Sequence, residues 1–421
     1  MTEWELEPAR GEKVFGARAG ALKRAWAKSR ALRMVLLIFL LSRLAFYVAA
    51  FFGSRLVPEA LTEPGRVAVN GPLSLAMHWR WDGKYYYSLA VSGYGPNAPN
   101  VFFPLFPLLT FGLATLLGGR FPRPLPLGSA EIPTLLAGVL VVDIAALVAF
   151  WLLFVLARDE TGDEAAAQRA VLYTAIFPFA LYYAVPYTES LYLATSIGVF
   201  LAARRRKWIL AGLAAGLVSA TRPVGILLAP VLAFEMFLAW RRGDLHLGEW
   251  PRVLLGLVLA PLGLVLFMLD LWWRTGDPLV FLRGQQSGWH HELVFPLRTL
   301  ARGIKYTLFP SLVTAPDIYA RGVINTLIVL GFLGIMLVSL RQWRPAYVLY
   351  GVLLFTQILS SPLPGQWAMH SLGRYIMVLF PVYITLARWG KRPAFHQAIL
   401  LLWLPLFGLL TALYVRWYAV G

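Results

Sequence analysis

Only 21 of the 421 residues are Asp or Glu, so each acid outside a charged turn is a candidate for chemistry. Asp82 comes first. It stands in the run Met77-His78-Trp79-Arg80-Trp81-Asp82-Gly83-Lys84, a polar island in an apolar chain. A carboxylate beside aromatic rings can hold its proton more tightly, and it suits a general base acting on a hydroxyl. The plain alternative is an interfacial belt, with Trp and Tyr at headgroup level and Arg or Lys snorkelling. Glu189, after Pro186-Tyr187-Thr188, suits three tasks: orienting the base, binding a sugar hydroxyl, or joining Asp82 at a divalent metal. Its plain alternative is the polar cap of a helix that starts at Ser190.

Arg222 and Arg374 suit a phosphate, because a guanidinium offers a planar fork of donors. Arg222 equally suits a structural ion pair with Glu189 or Asp143. Asp143, in mid-span, is expected to face Arg43. His370 and the triplet His290-His291-Glu292 complete the polar set. The triplet lacks the HExxH zinc spacing and reads as an exposed loop. Trp81 and Lys84 beside Asp82, Tyr187 beside Glu189, and Arg222, His370 and Arg374 are the candidate substrate-binding residues. There is no GxSxG elbow and no P-loop, so serine hydrolase and ATPase readings lack support.

These residues must be held by helices that cross a membrane. The chain is 59% hydrophobic and 14% charged, against roughly 25% charged in soluble domains, and its mean hydropathy is +0.65. The formal charge of +17 is dispersed in short turns between apolar runs. It marks topology and contact with anionic lipids rather than nucleic-acid binding. Cysteine is absent, which excludes disulfides, thiolate catalysis and Cys-based metal sites. Richness in Ala, Leu, Gly, Arg and Pro fits a GC-rich bacterial genome and hence a bacterial inner membrane.

Residues 1–32 read as a basic cytoplasmic tail without a cleavage site, and 33–421 as a single polytopic domain. Apolar runs fall at 33–53, 102–118, 133–157, 166–184, 188–203, 208–240, 253–273, 322–340, 346–361, 372–388 and 395–418. The run 208–240 reads as two short helices broken at Thr221-Arg222-Pro223, and the whole as about 11 spans. Arg204-Arg205-Arg206-Lys207 is the strongest inside marker. Counting crossings back from it leaves one segment too many, and 102–118, with Pro104 and Pro107, is expected to be re-entrant or interfacial. Outer loops are then expected near 54–100, 275–320 and 362–371, the first carrying interfacial helices. Asp82, Glu189, Arg222, His290, His291, His370 and Arg374 all fall on the outer side.

Three blocks, in order, resemble a known family. They are Trp81-Asp82-Gly83 with Ser92-Gly93-Tyr94 and Phe102-Phe103-Pro104-Leu105-Phe106-Pro107; Ala184-Val185-Pro186-Tyr187-Thr188-Glu189-Ser190-Leu191; and Ala220-Thr221-Arg222-Pro223-Val224-Gly225. Their order and spacing look like the PIG-V family, the second mannosyltransferase of glycosylphosphatidylinositol assembly and its bacterial relatives. Arg374-Tyr375 with Pro381 is similar to a weaker C-terminal motif there. The match covers roughly 78–225 well and the C-terminal half poorly.

The resemblance implies an all-α integral membrane protein, a multi-span GT-C-type helical bundle with its active site on the extracytoplasmic face. It implies a polyprenyl-phosphate sugar donor and a lipid or glycolipid acceptor, with Asp82 as the catalytic carboxylate and Glu189 as the second acid. Mannose as the sugar comes from the family name alone. No cofactor is fixed by these residues, though two acids leave room for a divalent metal. The rival from another class is a transporter or lipid flippase, in which proline-broken helices and intramembrane arginines are common. The one-sided polar cluster and the lack of an inverted repeat weigh against it. A catalytically dead partner of another transferase is a third reading.

Overall fold

A computed structural model describes residues 10–60, 72–119, 132–288 and 290–420, with side chains from residue 30 onward except Leu73. The expected tail thus lies partly outside the described residues: 1–9 altogether, and the side chains of Arg10, Lys13, Arg18, Lys23, Arg24 and Lys28. The described residues form helices and turns, with no strand among them. The fold is all-α. The backbone from Arg10 to Leu56 is one continuous helix, so the tail expected to 32 joins the first span without a break.

Among the described residues, five helices are long and apolar enough to cross a bilayer: Arg30–Leu56, Ile132–Thr161, Pro223–Arg241, Pro316–Ser339 and Pro393–Val415. The count rises to seven if two bent pairs each make one crossing. Both pairs break beside a proline, which cannot continue the ladder of helical hydrogen bonds. The first is bent by 41° at Ala260-Pro261 and the second by 73° between Ile376 and Phe380-Pro381. Shorter apolar helices are Leu105–Leu116, Trp208–Ser219 and Pro345–Ser360. These lengths and compositions make the chain an integral membrane protein.

Several expected segments are more broken than their apolar runs suggest. The run 166–184 is a helix over Glu164–Ile176 followed by a 3-10 turn over Ala180–Tyr183. Phe177 turns extended before Pro178, as a residue preceding proline should. The run 208–240 divides as expected, into Trp208–Ser219, a 3-10 turn over Pro223–Leu227 and Leu228–Arg241. The loop 275–320 contains helices Val280–Ser287 and Pro296–Leu308.

The helix Leu105–Leu116 has 12 residues, about 18 Å at 1.5 Å each, well short of a hydrocarbon core of about 30 Å. Phe106 lies against Gly138, and Gly119 against Pro133. The next helix, Ile132–Thr161, has 30 residues and the length to cross. By length alone, Leu105–Leu116 is a short apolar helix and Ile132–Thr161 a full span.

The core is a continuous aromatic and aliphatic cluster drawn from helices far apart in the chain, and Tyr173, Tyr183, Tyr350, Tyr383 and Tyr414 are fully buried. Buried hydroxyls need partners, and several are answered across elements. Tyr183 and Tyr383 both donate to the Met377 carbonyl, at 3.1 and 3.0 Å. These bonds fix the break that precedes Phe380.

Candidate active site

The polar island is clamped from below. Trp79 is fully buried and its Nε1 donates to the Leu135 carbonyl at 3.3 Å, so this ring faces inward and is not part of a headgroup belt. The Tyr187 hydroxyl accepts from the Asp82 backbone N–H and donates to the Arg80 carbonyl, each at 3.1 Å. Tyr414 Oη lies 3.1 Å from the His78 carbonyl oxygen. Backbone groups buried in a loop must be paired, and two tyrosines pair them here. Burial drives the His78 imidazole down to about 4. The clamp carries strain, since Trp81 has φ 53°, a left-handed value that a bulky side chain adopts at a cost.

Held in this way, Asp82 stands at one end of a network that joins three residues from distant segments. Arg374 Nη1 lies 3.1 Å from Asp82 Oδ2, and Arg374 Nε lies 2.6 Å from Glu189 Oε1. Arg222 Nη2 reaches the same Glu189 oxygen at 2.9 Å, and its Nε and Nη2 donate to Thr188 Oγ1 at 3.1 and 2.6 Å. Arg374 also lies over the Tyr187 ring, 4.5 Å from its centre. The order of the network is Asp82, Arg374, Glu189, Arg222.

The two carboxylates are not equivalent. Glu189 has no exposure, whereas the Asp82 side chain keeps 25% of its surface. Glu189 is the first residue of its helix, where the macrodipole favours a negative charge. Thr188 holds the cap position, so Glu189 is not the cap of that helix. Arg222 is placed by the break after Ser219. There Gly225 packs so closely on the Val218 carbonyl that any side chain would collide. Gly373, beside Arg374, similarly leaves no room next to the Phe179 ring, and its N–H donates to Asn325 Oδ1 at 2.7 Å.

Two cavities meet at this network. One, about 490 Å³, has Trp81, Asp82, Tyr187, His290, His370 and Arg374 in its wall, with Tyr182, His291, Arg321, Trp367 and Tyr375. The other, about 360 Å³, is lined by Asp82, Tyr86, Thr188, Arg222, Gln285, Gln286, Gln357 and Arg374, with His291, Glu292 and Tyr375. Asp82, Arg374, Tyr375 and His291 belong to both. His290 and Ser371, like Trp81, have positive φ, 55° and 62°. Three strained non-glycine residues thus ring the first cavity.

Of the residues expected to bind substrate, Trp81, Tyr187, Arg222, His370 and Arg374 stand in the walls of these two cavities, and Lys84 stands in neither. Its ammonium lies 4.8 Å from the Tyr85 ring centre, and burial lowers its proton affinity against the pull of Asp82. The His290-His291-Glu292 loop is more than exposed surface. His291 Nδ1 lies 2.6 Å from the Ser361 carbonyl, burial favours its neutral form, and Glu292 pairs with Arg302 at 2.7 Å. The expected Arg43–Asp143 pair is present at 2.6 Å, away from these cavities. Tyr182, Tyr375 and the three glutamines were not expected. Only Tyr375 carried a signal, its place beside Arg374.

No three His, Asp or Glu side chains converge to hold a metal ion among the described residues. Asp82 and Glu189 each give one oxygen to Arg374, and the other oxygen of Glu189 is buried without a partner among the described residues.

No protein-family model matches the chain, and no curated protein sequence does. Solved structures give low-level similarity. ArnT from Cupriavidus metallidurans, bound to undecaprenyl phosphate, is 16% identical with a TM-score of 0.45, over 85% of this chain and 61% of that one. The Archaeoglobus fulgidus oligosaccharyltransferase in complex with Zn and sulfate is 16% identical with a TM-score of 0.43, over 90% of this chain and 53% of that one. The archaeal oligosaccharyltransferase AglB from Archaeoglobus fulgidus, with an inhibitory peptide and a dolichol-phosphate, is 14% identical with a TM-score of 0.39, over 89% and 55%. The chain spans between about half and three-fifths of the length of these structures. No residue role is carried over from them.

Proposed function

We propose that this protein is a membrane-embedded glycosyltransferase of the GT-C type. It moves a sugar, in the PIG-V reading a mannose, from a polyprenyl-phosphate donor to a lipid-linked or extracytoplasmic acceptor. The observation that carries this is the position of Asp82: a carboxylate in the wall shared by two cavities, ion-paired to an arginine that also lines both. Two substrates can approach one base from opposite sides.

The chemistry follows from the groups present. Asp82 takes the proton of the acceptor hydroxyl as the oxygen attacks the anomeric carbon. The bond from that carbon to the phosphate oxygen breaks, and the electron pair leaves on the polyprenyl phosphate. Arg222, in the wall of the second cavity, and Arg374 stand where the departing phosphate gains charge, and fixed cations in a dry site stabilise such charge strongly. Buried Glu189 holds both guanidiniums in place and is a positioning residue. The outer face is the face assigned to this end, because the arginine-rich turns lie at the other. A single experiment tests the reading: purified protein incubated with labelled mannosyl polyprenyl phosphate and membrane lipid extract. Label in a new glycolipid supports it. Movement of intact donor between leaflets without transfer would leave a flippase instead.

A further inference from the structure

The helix Glu189–Arg204 carries Glu189 into the site at one end and Arg204 into a different cavity at the other. Its length puts the two about 22 Å apart, on opposite sides of the bundle. This second cavity is about 400 Å³, and five arginines stand in its wall: Arg204, Arg205, Arg206, Arg242 and Arg344.

An excess of arginine at this end is ordinary for a membrane protein, and most of these charges are answered. Arg204 and Arg344 share Glu160 Oε1 at 2.8 and 3.0 Å. Arg206 meets Glu249 at 2.8 Å, Arg242 meets Asp244 at 3.4 Å, and Arg205 lies 3.7 Å from Asp159. Topology explains that much. It does not explain Trp208, which lines the same cavity, is 2% exposed, and has a buried Nε1 with no partner among the described residues. Arg204 Nη1 in the same wall is buried and unpartnered in the same way. An orphaned buried donor is costly and uncommon, and here two belong to residues in the wall of one cavity. Arg206 also sits at φ 57°, a strained value held in that wall. One acceptor remains: Glu235 is 9% exposed, lines the cavity, and shows no ion pair among the described residues.

We propose that this cavity binds a phosphate ester bearing a neighbouring hydroxyl. The phosphate oxygens accept from Trp208 Nε1 and Arg204 Nη1, and the hydroxyl donates to Glu235. A glycerophosphate has this chemistry, as the headgroup of phosphatidylglycerol or as free glycerol 3-phosphate. The site does not depend on the transferase reading, because its readout is binding.

The test uses the full chain in phosphatidylcholine nanodiscs, with Asp82→Asn as a control. Phosphatidylglycerol retained through delipidation is counted by native mass spectrometry, and glycerol 3-phosphate is titrated by thermal shift. Trp208→Phe removes one N–H and little volume. It should weaken retention roughly tenfold, the cost of one hydrogen bond to a charged acceptor. Glu235→Gln should lower the preference for phosphatidylglycerol over phosphatidic acid, which lacks the hydroxyl. Response to the lipid alone assigns a bilayer headgroup, and response to glycerol 3-phosphate assigns a soluble ester; both support the site. Equal binding by the parent and by both variants, or no binding by the parent, would overturn it.

Discussion

The two ends of the helix Glu189–Arg204 are built from the same materials and organised oppositely. At one end a buried carboxylate, Glu189, takes two arginines that reach it from Arg222 and Arg374 in distant segments. At the other, Glu160 takes Arg204 and Arg344 and the Tyr347 hydroxyl. The first end then adds a second, partly exposed acid, Asp82, on the far side of Arg374. The second end adds more arginines, mostly exposed and paired within neighbouring turns. The first network thus presents an acceptor to its cavities, and the second presents donors. A carboxylate left partly open suits proton transfer, and orphaned donors suit the binding of an anion.

If this contrast reflects two faces of a membrane, labelling should be all-or-none. Ser92 is exposed near the first end, and the Arg205 side chain is 53% exposed at the second. Cysteines placed there in this cysteine-free chain should react with an impermeant maleimide from opposite sides, Ser92→Cys from outside. Reaction of both from one side would break the comparison at its root.

The next largest effect concerns Asp82. Asp82→Asn keeps shape and removes the base, so turnover should fall about 10²–10⁴-fold. Thermal stability should change little, because Glu189 still holds Arg374. Turnover near the parental rate in folded protein would remove Asp82 from the mechanism.

That such a network exists was legible in the sequence because ionisable groups in apolar segments are rare and must find each other. Asp82, Glu189, Arg222 and Arg374 could be named from that rule, as could Arg43 with Asp143. Lys84 was named for its place beside Asp82, and it is not among the residues in the walls of these two cavities. Tyr182, Trp367 and the glutamines gave no sign, since a chain that is 14% aromatic offers too many equivalent rings. Apolar runs also hid the broken helices. Pro178, Pro261 and Pro381 marked each break, but composition alone cannot say whether a proline bends a span or ends it.

Stability separates the two ends more finely. Glu189→Gln leaves two buried guanidiniums sharing an uncharged partner, and removing one member of a buried pair costs about 3–5 kcal/mol. Glu160→Gln acts where the Glu160 side chain is 12% exposed and Arg344 44% exposed. Water can answer part of that loss, so about 1–2 kcal/mol is expected. Denaturation in one detergent gives both values. Equal losses would mean that Glu160 is as fully desolvated as Glu189, and the two ends would differ only in their outer charges.

The smallest effect tests what Arg222 does. Its fork makes two bonds to Thr188 and one to Glu189, so its own geometry is already held before any substrate arrives. Arg222→Lys keeps the charge and gives up the planar array. If Arg222 meets the donor phosphate, the loss of about one charge-assisted bond should raise the donor KM roughly tenfold. The acceptor KM should move much less, because the hydroxyl is served by Asp82 and not by Arg222. A fall in thermal stability with both KM values unchanged would make Arg222 a structural partner of Glu189 and leave Arg374 as the phosphate ligand. Arg374 would then serve the acid and the leaving group at once, as an arginine in the wall that both cavities share.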